Sequence, residues 1–178
     1  FDYGNNRESI FWINGARVQL HLAKNPIGFQ QKVSLVLKDP KPKDIIIQIN
    51  DTYQDGEDIS WLWDVDFQYL ADSNARSIIT AGTRRHDMGL RLKYEDIPCG
   101  STTDLRESVL DCVENGTKNL YVIVNYSGLY RTNHMLTELE KTCGKTGEGK
   151  AGQEKSAAGK PEPGAQGQNR EQKGGDRA

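Results

Sequence analysis

Asp44-Ile45-Ile46-Ile47-Gln48-Ile49-Asn50 carries four isoleucines, three of them consecutive. β-Branched side chains favour extended backbone, and apolar residues at successive positions leave no face for water. The stretch therefore predicts a strand buried on both faces, which calls for covering layers above and below. Arg76–Ala81 and Asn119–Asn125 read the same way. Helical stripes separate these runs. Phe29, Val33, Val36 and Leu37 recur at helical spacing after Asn25-Pro26, with Asn25 suited to cap the helix and Pro26 to open it. Further stripes lie in Arg85–Glu95, in Thr103–Glu114 (Leu105, Val109, Cys112 and Val113 on one face) and in Ser127–Lys141 (Leu129, Leu136 and Leu139). Strands alternating with helices predict an α/β fold, a mainly parallel sheet flanked by helices on both faces.

Upstream, Ile10–Ile13 and Ala16–Ala23 flank Asn14-Gly15, a pair that readily takes the positive φ angles of a type I′ turn. A β-hairpin is predicted to precede the parallel sheet. In its second strand Val18, Leu20 and Leu22 alternate with Arg17, Gln19 and His21, which puts His21 on a polar face.

From Thr142 to Ala178 there is no Val, Ile, Leu, Met or aromatic residue, and nine of the 18 glycines fall there. Such a segment cannot bury enough apolar surface to offset chain ordering, so it is expected to be a disordered tail. The division is thus 1–141, one domain, and 142–178, tail. A net charge of −2 gives no nucleic-acid signature, and no run approaches the ~18 apolar residues of a membrane span. Cys99, Cys112 and Cys143 are odd in number and lack CxxC spacing, which suits free thiols in a reducing cytoplasm and predicts no metal site in this segment.

In open α/β sheets ligands gather beyond the carboxyl ends of the strands. That directs attention to Lys24-Asn25, to Asn50–Asp66, to Gly82–Asp87 and to Asn125–Gly128. The second of these is the most unusual, with five aspartates, one glutamate and two tryptophans between Asn50 and Phe67. Carboxylates beside large aromatics can be desolvated and fixed, as a catalytic group or metal ligand requires. They also suit a plain acidic loop in which Asp58 or Ser60 caps a turn and Trp61 and Trp63 pack. Gly82-Thr83-Arg84-Arg85-His86-Asp87 opens a helix, either as an anion site with Arg84 and Arg85 assisting or with Thr83 as a simple cap. Gly144-Lys145-Thr146 is no phosphate loop, because Leu139 stands where the leading glycine belongs.

Several of these stretches together resemble one family. Leu22-Ala23-Lys24-Asn25-Pro26-Ile27-Gly28-Phe29 is similar to the LAKNPAGF segment of MurT proteins. Asp39–Asp44 resembles their DPKPKD, Ile49-Asn50-Asp51 their IND, and Asp55–Phe67 their DGRDVSWLWDVDF. Arg84–Ile97 and Tyr121–Leu129 follow in order, so the likeness runs from about Asn14 to Leu139. The resemblance implies a Rossmann-like C-terminal domain of a Mur ligase-like protein. It implies a partner, a GatD-type glutaminase, with which MurT proteins use ATP and Mg²⁺ to amidate the D-glutamate of lipid II to D-isoglutamine, in the cytoplasm at the inner face of the plasma membrane. It implies an aspartate given across the subunit interface to the glutaminase Cys-His pair, with Asp64 the first choice and Asp58 and Asp66 behind it. Asn25 resembles the Mur-ligase position that lies near the nucleotide, which makes Lys24 the natural neighbour for its phosphates or for substrate carboxylate. The family's central domain carries a phosphate loop and a four-cysteine zinc site. Neither motif occurs in these 178 residues, so the chain is expected to be a fragment, inactive alone, with zinc confined to that other domain. Two further readings compete: a docking module for the glutaminase without chemistry, and an unrelated phosphosugar- or nucleotide-binding domain.

Overall fold

The computed structural model describes residues 8–144. The elements run β1 (Glu8–Ile13), β2 (Ala16–Leu22), α1 (Pro26–Lys38), β3 (Lys43–Gln48), two 3₁₀ turns (Ser60–Asp64 and Phe67–Asp72), β4 (Ala75–Ala81), α2 (Arg85–Lys93), β5 (Gly100–Ser101), α3 (Leu105–Glu114), β6 (Asn119–Val124) and α4 (Tyr126–Cys143). The strands form one sheet in the order β1-β2-β6-β3-β4-β5. Only β1 is antiparallel to its neighbour; the other four pairings are parallel. The mainly parallel α/β sheet expected from the isoleucine run is therefore the fold.

The isoleucines divide between two cores because successive strand residues point to opposite faces. Ile45, Ile47 and Ile49 join Phe29, Val33 and Val36 of α1 and Met88 and Leu92 of α2. Ile46 joins Val109, Cys112 and Val113 of α3 and Leu136 and Leu139 of α4. Both faces are thus covered, and β3 has no solvent side.

The hairpin forms as predicted, with Asn14 at φ 47° and Gly15 at φ 77° and Ile13 paired to Ala16. Its second strand is not a free edge, however. β2 also pairs along its length with β6, and the face expected to be polar turns inward. His21 is consequently fully buried, stacked on Tyr121 with ring centres 5.6 Å apart. Tyr121 belongs to the core beneath α1. Tertiary pairing overrides the alternation that placed His21 in water.

The connection from β3 to β4 is the second departure. A parallel crossover is commonly a helix; here the acidic-aromatic segment itself makes it, as the two 3₁₀ turns. Leu62 and Val65, then Phe67 and Leu70, are the residues it buries. Each pair is three apart, the repeat of a 3₁₀ turn. At the other end of the chain, α4 continues past Lys141 to Cys143, whose carbonyl accepts the Asn14 amide at 3.2 Å. The remaining tail, 145–178, lies outside the described residues.

Candidate functional site: the carboxyl edge and the acidic crossover

Beyond the strand ends the parallel ladder continues through single bonds, from Ala23 N to Val124 O, Asn125 N to Gln48 O and Ile49 N to Ala81 O. The loops after β3, β4 and β6 are then tied by side chains. Asn125 donates through Nδ2 to Asn50 O (2.7 Å) and accepts the Asn50 amide on Oδ1 (3.2 Å). Asn50 in turn donates to Ser127 Oγ (3.1 Å) and accepts the Thr83 amide (3.1 Å). Thr83 and Arg84 both donate to Asp51, at 2.6 and 2.7 Å. The Thr83 hydroxyl first, and then the Arg84 guanidinium, hold the Asp51 carboxyl below its usual range. Gly82 makes this closure sterically feasible: at φ 89°, a side chain there would collide with the Ile49 carbonyl.

This mesh changes the reading of Gly82–Asp87. Thr83 does not cap α2; Arg84 stands at that position and no side chain caps it. Arg84 is held by Asp51 and, at 3.7 Å, by Asp87. Both residues act as struts between loops. Asp55 also leaves its own turn, accepting the Ser127 amide at 2.8 Å in the first turn of α4, where a carboxylate suits the helix dipole.

The three aspartates expected at a catalytic position sit on the crossover, all exposed. Asp58 accepts the Ser60 amide at 2.8 Å, and that bond holds its carboxyl below the usual range. It is therefore a turn cap. The Asp66 amide donates to Gln30 of α1 (3.0 Å). Among the described residues no hydrogen bond or ion pair engages the Asp64 carboxylate. The turn that carries it is fixed from behind. Trp61 packs on Phe29, ring centres 5.3 Å apart. Arg91 of α2, a residue the sequence reading passed over, is buried and donates to the carbonyls of Leu62 (3.2 Å) and Val65 (2.8 Å) while pairing with Glu95. Its position was readable: Arg91 falls between Met88 and Leu92 on the apolar stripe of α2.

Lys24 and Asn25 stand apart, at the end of β2; no hydrogen bond joins them to the mesh among the described residues. Asn25 Oδ1 is committed to capping α1 through the Gly28 amide at 2.8 Å. Its amide group and the exposed Lys24 ammonium remain available as donors, a set that suits an anion. No group of three or more His, Cys, Asp or Glu side chains is arranged to hold a metal ion among the described residues. No described helix is long and apolar enough to cross a membrane.

The fold and this edge define a mainly parallel α/β domain whose β3–β4 crossover is a pinned acidic turn. The family model for the MurT ligase C-terminal domain matches residues 22–129, more than half of the chain, and the chain belongs to that family. The MurT subunit of lipid II isoglutaminyl synthase (glutamine-hydrolyzing) from Streptococcus pneumoniae (strain ATCC BAA-255 / R6) is 30% identical over 133 residues, 73% of this chain and 30% of that protein. The corresponding subunit from Staphylococcus aureus (strain COL) is 34% identical over 93 residues, 52% of this chain and 21% of that protein. The chain thus spans less than a third of these relatives. A crystallised domain from Haemophilus ducreyi, ascribed to a UDP-N-acetylmuramate:L-alanyl-gamma-D-glutamyl-medo-diaminopimelate ligase, superposes with a TM-score of 0.38 at 17% identity, over 72% of this chain and 94% of that one; the likeness is too loose to build on.

Proposed function

We propose that this domain serves, within a MurT subunit, the amidation of the lipid II D-glutamate to D-isoglutamine, together with a GatD-type glutaminase and at the inner face of the plasma membrane. Asp64 would complete the glutaminase site by accepting a hydrogen bond from the partner's catalytic histidine. A carboxylate in that role orients the imidazole and stabilises its cationic form. The observation that carries this reading is the contrast within one turn. Asp64 is exposed and unengaged among the described residues, on backbone fixed by Arg91 and Trp61, whereas Asp58 is committed to a cap; Asp66 is engaged only through its backbone amide, and the substitutions below separate it from Asp64. A carboxylate on a preset backbone loses little conformational freedom when it engages.

ATP with Mg²⁺, bound in the complete enzyme, would supply the phosphoryl group that turns the glutamate carboxylate into an electrophile. From this domain, Lys24 would offset phosphate or carboxylate charge and the Asn25 amide would donate beside it, both positioned by the start of α1. The docking-module reading has its own support: Trp63 (52% exposed) and Tyr94 (69% exposed) meet edge to face at 5.2 Å beside the turn, and exposed aromatics are typical of interfaces.

Glutamate release by the full-length subunit assembled with its glutaminase separates the two. Asp64→Asn should lower kcat on the order of 10³–10⁴-fold with the complex intact, while Asp58→Asn and Asp66→Asn retain turnover. Loss in Asp58→Asn or Asp66→Asn alone would mean the right turn and another residue. Full activity in all three would leave only docking.

A further inference from the structure

Behind the Arg84 strut lies a second feature, which the mesh does not absorb. α2 and the segment leading into β5 enclose a cleft of about 390 Å³, within the size range of small-molecule sites. Arg85, Gly89 and Lys93 follow one another along α2 at spacing i, i+4, i+8, which puts them on one helix face. All three line the cleft, with His86 beside them and with Thr80 and Cys99 opposite. Among the described residues no carboxylate lines it. Of the acids in and just beyond α2, Asp87 pairs with Arg84 and Glu95 with Arg91; Asp96 is exposed and does not line the cleft. Among the described residues neither Arg85 nor Lys93 forms an ion pair. Two positive charges therefore line the cleft with no carboxylate among the lining residues, Arg85 with one N–H turned to the Gly82 carbonyl at 3.4 Å.

Gly89 is the independent observation. A glycine inside a helix costs about 0.5–1 kcal/mol relative to alanine, so it needs a reason. Its backbone is not in the left-handed region, and a Cβ built there would meet nothing closer than 3.8 Å, at Cys99 Sγ and Thr80 Oγ1. Neither conformation nor close packing requires glycine. A side chain larger than a methyl at 89 would press on Thr80 and Cys99 and narrow the cleft that they line.

We infer that this cleft binds a phosphate-bearing small molecule through Arg85 and Lys93, over the bare backbone of Gly89. A guanidinium offers a planar fork to phosphate oxygens and an ammonium a mobile point charge. Together they balance a dianion better than a single carboxylate. The inference does not rest on the glutaminase reading, since no residue of the acidic turn lines the cleft.

The test is a titration of the ¹⁵N-labelled 178-residue chain with inorganic phosphate, against succinate and against sodium chloride at matched ionic strength. Phosphate should give saturable amide shifts at Gly89 and at Cys99–Ser101. Arg85→Gln and Lys93→Gln should each weaken binding at least tenfold, and Gly89→Leu should abolish it. Phosphate should also slow alkylation of Cys99, an exposed thiol on the rim. Shifts reproduced by sodium chloride, or unchanged in Arg85→Gln, would overturn the site. Binding of succinate in preference to phosphate would overturn the assignment to phosphate. Gly89→Leu carries a folding risk, but the two Gln variants alter accessible side chains and keep the outcome decisive.

Discussion

The guanidinium carbon of Arg91 lies 5.2 Å from the ring centre of Trp63, so the cation that anchors the crossover from within also supports its half-exposed tryptophan. The same group lies 5.6 Å from the ring of Phe67 and donates to Leu62 O and Val65 O. One buried side chain thus joins α2 to both 3₁₀ turns.

Arg91→Met should therefore release the turn. It orphans two buried carbonyls and leaves Glu95 without its partner, for which we expect a loss of about 2–4 kcal/mol in urea unfolding. Tryptophan emission should shift to the red as Trp63 loses its support. Arg91→Lys should recover only part of the stability, because one ammonium cannot serve two carbonyls and a carboxylate in the fork geometry. Wild-type stability in Arg91→Met would show that the turn is held by Trp61 packing alone.

These contacts mark where the sequence is legible and where it stops being so. The isoleucines of β3 announce a two-faced strand because burial on both sides is a local property of composition. Asn14-Gly15 announces its turn, and Asn25-Pro26 its helix start, because caps and turns are written within four residues. His21 was legible only as half of an alternating pattern; its burial depends on β6, about a hundred residues away. Likewise the role of Arg91 depends on carbonyls 26 and 29 residues earlier. The acidic segment drew attention by composition, yet its work as the β3–β4 crossover follows from sheet order, which no local pattern encodes.

Asp55 should matter for stability and not for chemistry. Its Oδ1 accepts Ser127 N at the start of α4, and its Oδ2 accepts the Thr52 hydroxyl at 2.7 Å. Asp55→Ala should cost about 0.5–2 kcal/mol, the range for a lost helix cap, and Asp55→Asn less, since an amide oxygen still accepts. Glutamate release by the assembled complex should be unchanged at temperatures where the variant is folded. A stability loss in Asp64→Ala equal to that in Asp55→Ala would contradict the separation of cap from free carboxylate.

Truncation should discriminate two cut points three residues apart. Ending the chain after Gly144 removes a segment without a single Val, Ile, Leu, Met or aromatic residue, and should leave the thermal midpoint within about 1 °C. Ending it after Lys141 also removes the Cys143 carbonyl that accepts Asn14 N and the partly buried Cys143 side chain packed on the α3/α4 core. A loss of about 1 kcal/mol, or roughly 3 °C, is expected there. Equal midpoints for the two truncations would mean that the last turn of α4 adds nothing to the hairpin.

His21 should give the protein a stability that fades between neutral and mildly acid pH. Burial first, and then the positive charges of Lys32 and Arg17, lower its pKa from 6.5 to about 4. Both ring nitrogens lack a hydrogen-bond partner among the described residues; Glu8 Oε1, at 3.5 Å from Nδ1, is the opposing charge. In the unfolded chain the ring takes up a proton near pH 6.5, in the folded chain only near 4. Between those values the unfolded state binds more protons, so stability is complete above 6.5 and declines as pH falls toward 4. At 1.36 kcal/mol per unit the loss is roughly 3 kcal/mol. The carboxyls of Asp39, Asp51 and Asp58 are held below their ordinary value of 3.8, so what they contribute is lost mainly at still lower pH. His21→Phe keeps a ring to stack on Tyr121 and removes both unpartnered nitrogens. It should be at least as stable as wild type at pH 7, with a much flatter profile from 6.5 to 4. Urea midpoints across that interval, with an NMR titration of the His21 ring, decide the matter. A ring that titrates near 6.5 in the folded protein, or a variant with the wild-type slope, would remove His21 as the cause.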